Sequence, residues 1–259
     1  MKAALSHTEL VRRSFSAARE YALLYDTHTP QGRFFNERLQ LVLQSIASLP
    51  SGKIVDIGCG PGVLLSRLAG GSSELYGLDL SPDMIAEARK RTADCAVHLV
   101  VGQLEKLPYH DMSLDVVLGL GILEYLPDQN IGVLEIARIA KPNATVILSM
   151  VNKASLYRAW ERFLCKPWKT FKSRMRHRSV SPEPSMLLQS PKSLARLMKV
   201  HHLDSVEVVY YDLNVCVAPF DSRYPKLALV LNRWTRPYST GLLSPAVHTA
   251  FLMKARKAA

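Results

Sequence analysis

Two rhythms of apolar and polar positions alternate along this chain. Short, almost wholly apolar runs at 53–57, 74–78, 97–101, 114–118 and 145–150 are separated by stretches in which apolar residues recur every three or four positions, at 34–47, after Gly62 through Leu68, at 82–91 and at 131–140. Runs with no polar side read as strands buried on both faces of a parallel sheet. Strands alternating with helices of this length place helices on both faces of that sheet. Ser190-Pro191 opens a further helix to about His201, and the β-rich runs 206–217 and 248–254 bring the strands to seven. The pattern predicts an α/β fold with a mostly parallel seven-stranded sheet. Ser81 stands where it would cap the 82–91 helix, and Ser6-His7-Thr8-Glu9 has the form of a capping box that starts one helix over 10–25. The stretches 151–189 and 218–246 fall outside the rhythm. With residues 1–35 they are expected to form a cap on a core at 36–150, within one domain over 1–259.

The chain has 259 residues, 48% of them hydrophobic, enough for one sizeable core. No run reaches the roughly 18 consecutive apolar residues of a membrane span, and Met1 to Leu10 lacks the apolar centre of a signal peptide, so the expected location is the cytoplasm. Cys59, Cys95, Cys165 and Cys216 are scattered, and neither they nor the eight histidines show metal-ligand spacing; no metal is expected.

The formal charge of +11 is concentrated. Residues 151–180 hold nine Lys or Arg against one acid, Glu161, a net of +8 that leaves +3 for the rest of the chain. In the same stretch Tyr157, Trp160, Leu164, Trp168, Phe171 and Met175 recur at helical spacing, interrupted by Pro167. Such a segment suits a lid over an apolar or anionic acceptor, a peripheral contact with an anionic membrane, or a nucleic-acid contact; its plain alternative is a solvated basic face over an ordinary lid core.

The first strand runs into Gly58-Cys59-Gly60-Pro61-Gly62, and the second ends in Gly77-Leu78-Asp79-Leu80. A glycine turn between strand and helix lets a ligand approach the backbone and meet the N–H groups at the helix start. A carboxylate at the neighbouring strand tip can accept from both hydroxyls of a ribose. These features suit any nucleotide-like cofactor, but the third glycine comes one position earlier than in the dinucleotide fingerprint.

The stretch from Val55 to Gly62 resembles the first motif of class I S-adenosylmethionine-dependent methyltransferases. Further similar motifs follow in order, at 77–85, 101–108, 114–118 and in Gly121-Ile122-Leu123-Glu124-Tyr125-Leu126. The likeness is to the small-molecule branch that includes ubiquinone and menaquinone methyltransferases. It implies a Rossmann-like fold, S-adenosyl-L-methionine as cofactor, and methyl transfer to O, N or C of a small, lipophilic acceptor. It also implies that Gly58, Cys59, Gly60 and Gly62 hold the methionine part, with Asp56 ordering the loop. By the same resemblance Asp79 takes the ribose and Leu80 and Met84 the adenine faces, with Gln103 and Leu104 at its edge. Leu120 and Tyr25 complete the cofactor set. Gln103 stands where many relatives have Asp, and Tyr125 where many have His; Tyr125 is the one candidate catalytic residue. Asp115 and Glu124 are expected to be structural, while Tyr21, Tyr25 and Arg33 suit a cap that closes over the cofactor. An RNA or tRNA methyltransferase using the basic segment is disfavoured, because Gly119-Leu120-Gly121-Ile122 replaces the Asn/Asp-Pro-Pro-Tyr type of motif and no Pro-Cys nucleophile is present. The remaining alternative is a protein that binds the cofactor without catalysis.

Overall fold

The computed structural model describes residues 6–27, 29–165, 185–213, 223–235 and 241–259. Seven strands form one sheet in the order β3-β2-β1-β4-β5-β7-β6. They are β1 (Lys53–Ile57), β2 (Glu74–Asp79), β3 (Val97–Val101), β4 (Leu114–Leu120), β5 (Ala140–Val151), β6 (Leu203–Leu213) and β7 (His248–Lys257). The first five pair in parallel, and β7 runs antiparallel between β5 and β6.

One face is covered by α3 (Pro30–Ala47), α4 (Val63–Leu68) and α5 (Pro82–Arg91); the other by α6 (Gln129–Ile139) and α8 (Pro191–Val200). Val42, Leu65 and Val116 close the first layer, and Val133, Ile136 and Leu194 the second. α3 forms because Thr29 accepts from Gly32 N at 3.1 Å and Pro30 pre-sets the first turn, and Phe35, Arg38, Leu39, Val42 and Ile46 then bury one stripe. In α5, Ser81 accepts from Met84 N at 3.4 Å, and Asp83 in the first turn with Arg89, Lys90 and Arg91 in the last complement the helix dipole.

Several features depart from the sequence pattern. The first helix is broken into α1 (His7–Ser14), α2 (Ala18–Leu23) and a 3-10 turn at Leu24–Asp26, because Phe15 leaves the helical path to meet Tyr21 and Tyr125, at ring-centroid distances of 6.0 and 5.2 Å. Only half of the capping box forms: Ser6 accepts from Glu9 N at 3.2 Å, while the Glu9 carboxylate turns to Arg12 and Arg13, each at 2.8 Å. β5 begins at Ala140, directly at the end of α6, where Lys141 reaches across to Asp115 at 2.7 Å. β6 starts at Leu203, since its partner β7 continues to Lys257 and that pairing sets the register; the predicted strand residues 214–217 lie outside the described residues.

The cap segments are described only in part. They include α7 (Leu156–Trp160), a π-helical turn at Glu161–Cys165, α9 (Pro225–Thr235) and the short α10 (Ser244–Val247). The expected lid residues Lys166, Trp168, Lys169, Phe171, Lys172, Arg174, Met175, Arg176 and Arg178 lie outside the described residues, as do 218–222 and 236–240.

Candidate active site

Strand order reverses between β1 and β4, and the connections that leave these two strands diverge, so a crevice opens beyond the strand tips. The glycine turn is its floor. Gly58 N and Cys59 N donate to Leu78 O at 2.7 and 3.0 Å, which ties the turn to the tip of β2. Gly60 has φ +53°, and a Cβ there would meet only Tyr21 Cε1, at 3.9 Å; the space above it is open. Gly62 serves differently. A Cβ on it would press on Ala88 Cβ at 3.0 Å, so it lets α5 close against the start of α4, and it does not line the crevice.

Over this floor lies a cavity with about 1210 Å³ of empty space, its open mouth included. Asp79, Leu80 and Met84 line it from the tip of β2 and the start of α5, and Gln103 and Leu104 from the turn after β3. Asp56, Gly58, Cys59 and Gly60 contribute from β1 and the turn. Leu120 and Tyr125 come from the end of β4 and the turn beyond it, and Tyr25 from the cap. One cavity thus gathers every candidate cofactor-binding and catalytic residue except Gly62, whereas Arg33, expected in the cap over the cofactor, lies outside the lining and donates to Asp212 at 2.9 Å and to Leu213 O at 2.9 Å.

The charged groups have defined partners. Asp79 accepts from Gly60 N at 2.9 Å through Oδ2 and from Ser81 N at 2.8 Å through Oδ1; burial raises its pKa, and these backbone bonds hold it back. Each oxygen keeps acceptor capacity toward the cavity. Asp56 is buried with Oδ1 unpartnered and makes no hydrogen bond to the turn, so the expected loop-ordering role passes to Leu78 O and Asp79. Its pKa is pushed up to about 7 by burial, against the pull of Arg38 and with Asp79 adding to the rise. Burial likewise pushes the Cys59 thiol up, which makes it an inert packing group. Asp115 accepts from Lys53 N and Lys141 Nζ at the far end of the sheet, a structural clamp as expected.

Three lining residues escaped the sequence pattern. Arg38, 7% exposed, donates from Nη1 to Leu120 O at 3.2 Å and lies over the Phe35 ring at 5.1 Å. A cation on the apolar stripe of α3, between Phe35 and Val42, was the available signal. Phe15 stands edge-on to Tyr125. His7 Nε2 lies 2.7 Å from Tyr125 O; a carbonyl only accepts, so Nε2 carries the proton and Nδ1 is the basic nitrogen of the neutral ring. Glu124, by contrast, is buried outside the cavity lining, with Oε2 unpartnered and its pKa pushed up to about 7 by burial against Arg38.

A family model described as a methyltransferase domain matches residues 55–148, from β1 into β5. Over those residues, fewer than half of the chain, the protein is similar to a methyltransferase domain. The chain is similar to a ubiquinone biosynthesis O-methyltransferase of Methylococcus capsulatus, 32% identical over 120 residues, 45% of this chain and 50% of that protein. It is also similar to a malonyl-[acyl-carrier protein] O-methyltransferase of Erwinia billingiae, 30% identical over 142 residues, 53% of this chain and 54% of that protein. The chain spans about half the length of these curated relatives. The fold matches the crystal structure of magnesium protoporphyrin IX methyltransferase from Synechocystis with bound S-adenosylmethionine, with a TM-score of 0.64, 15% identity and all of both chains covered. The residues present fit that cofactor: an acidic strand tip for a diol, a buried guanidinium for a carboxylate, an orphaned carboxylate oxygen for an ammonium group, and open ground over Gly60.

Proposed function

We propose that this protein transfers a methyl group from S-adenosyl-L-methionine to an oxygen, nitrogen or carbon of a small, lipophilic acceptor. Asp79 would hold the ribose hydroxyls, Leu80, Met84 and Leu104 the adenine faces, and Gln103 its amino edge through a neutral amide oxygen. Arg38 would take the methionine carboxylate and Asp56 the ammonium group. The bound cofactor supplies an electrophilic methyl on a sulfonium centre. Methyl displacement needs an in-line nucleophile and little else, so the chain's contribution is to align the two partners and exclude water.

The observation that carries this reading is the aromatic wall opposite the glycine turn. Phe15 packs edge-on against Tyr21 and Tyr125, and all three line the cavity. This surface suits an apolar ring and would seat it beyond Gly60. His7 lines the cavity and uses Nε2 on Tyr125 O, which leaves Nδ1 as the nitrogen that would take a proton from an acceptor O–H or N–H. Tyr125 then shapes the acceptor end and is not required as the base.

Isothermal calorimetry with S-adenosylmethionine, S-adenosylhomocysteine and NAD tests the cofactor half. The first two bind at micromolar concentration and NAD does not. Incorporation of radiolabelled methyl across a panel of catechols, hydroquinones, phenols and fatty acyl carboxylates tests the acceptor half. NAD binding in place of the first two ligands would falsify the reading of the turn; labelling of tRNA and of no small acceptor would overturn the acceptor class.

A further inference from the structure

α9 carries an apolar stripe that faces solvent. Leu227, Val230 and Trp234 are 54%, 52% and 77% exposed. At about 100° of turn per residue they fall within roughly 60° of arc, one face of the helix. The exposed Lys226 and Arg233 flank that stripe along one edge. Isolated exposed apolar residues are ordinary, but three large ones aligned on one helix, ending in a tryptophan, are a docking surface.

The charge around the stripe identifies its occupant. From residue 222 to 247 the chain contains Arg223, Lys226, Arg233 and Arg236 and no acid. The whole chain carries +11. A basic-edged apolar face with a tryptophan on it is the composition of a helix that lies in the boundary between anionic headgroups and acyl chains, its cations reaching up to the phosphates. The cap adds exposed apolar residues beside basic ones at a second place, Leu156 and Phe163 with Arg162. No helix among the described residues is long and apolar enough to cross a membrane.

We infer that α9 docks the protein reversibly on an anionic lipid surface, lying parallel to it with Leu227, Val230 and Trp234 inserted. The inference concerns a surface away from the cofactor cavity and stands whether or not the protein transfers methyl groups.

The test uses the full chain with Trp160→Phe and Trp168→Phe, which leaves Trp234 as the sole tryptophan of three. It is mixed with phosphatidylcholine vesicles containing or lacking phosphatidylglycerol, and both sedimentation and Trp234 emission are recorded at low and high salt. The expected result is binding to the phosphatidylglycerol vesicles only, weakened by salt, with a blue shift of the emission. Leu227→Ser with Val230→Ser lowers the vesicle partition coefficient at least about tenfold while circular dichroism and thermal unfolding stay unchanged. Vesicle binding that this variant retains, or binding without a blue shift, overturns the inference, because the adhesion then belongs to other basic residues. Indifference to both vesicle types overturns it as well. Sedimentation equilibrium that shows a dimer abolished by the same variant would assign the face to a second copy of the chain instead.

Discussion

Asp79 lines the cavity from the tip of β2, and Arg38 lines it from α3, beside the tip of β4. The Asp79 carboxylate already accepts from two backbone N–H groups, which fixes its plane, and its remaining acceptor capacity points into the cavity. Asp79→Ala is expected to weaken S-adenosylmethionine and S-adenosylhomocysteine alike by about 1.5–3 kcal/mol, the loss of charge-assisted bonds, as read by calorimetry. Unequal losses for the two ligands would place the residue near the sulfonium and not the ribose. Gly60→Val tests the opposite property, emptiness. The side chain would stand in open ground but at φ +53°, which costs a β-branched residue on the order of 1–3 kcal/mol of strain. A protein that still melts cooperatively yet binds no cofactor is expected; a folded variant with intact binding would mean the turn does not carry the ligand.

At the scale of elements, α1 is a lightly anchored part of the cap. It has no buried residue, and His7 to Tyr125 O and the Phe15–Tyr125 ring contact hold it over the cavity. Deleting residues 1–15 should therefore lower the melting temperature by only a few degrees, while the cofactor dissociates faster in stopped-flow measurements because the mouth is wider. A large loss of stability would show that α1 belongs to the core. The same element explains what the sequence disclosed and what it did not. β1, β3 and α5 are legible to within a residue, since alternation, Ser81 and Pro82 are local signals. The turn and Asp79 are legible because they lie 19 residues apart along one strand–helix–strand unit. Arg38 and His7 act across 82 and 118 residues of chain, to Leu120 and Tyr125, and no local pattern reports such a contact. The break at Phe15 and the register of β6 have the same origin: each is decided by a distant partner, Tyr125 and β7, and not by propensity.

For the molecule as a whole, buried carboxylates with raised pKa, among them Asp56, Glu124, Asp79 and Asp212, shape how stability responds to pH. Asp56 and Glu124 are both pushed up to about 7 by burial, from ordinary values near 4, and each keeps one oxygen without a partner. Between about pH 4 and pH 7 the unfolded chain has released these two protons and the native chain still holds them, so the native state binds more protons and its stability falls as pH rises through that window. Above about pH 7 both groups ionise in the fold and the loss is complete. Carboxylates with lowered pKa, such as Glu135 beside Arg138, act in the opposite sense but at lower pH, where they protonate. Urea unfolding of the protein without cofactor is thus expected to give greater stability at about pH 5.5 than at about pH 8. Asp56→Asn removes one of the two charges. It should match the wild type only at about pH 4, pull ahead of it as pH rises from about 4 to about 7, and exceed it by on the order of a few kcal/mol near pH 8, where ionised Asp56 has its full burial cost net of the Arg38 attraction. A wild-type profile flat across this window would show that the buried carboxylates do not hold their protons, and a variant less stable than the wild type at pH 8 would show that the attraction of Arg38 outweighs the cost of burying the charge.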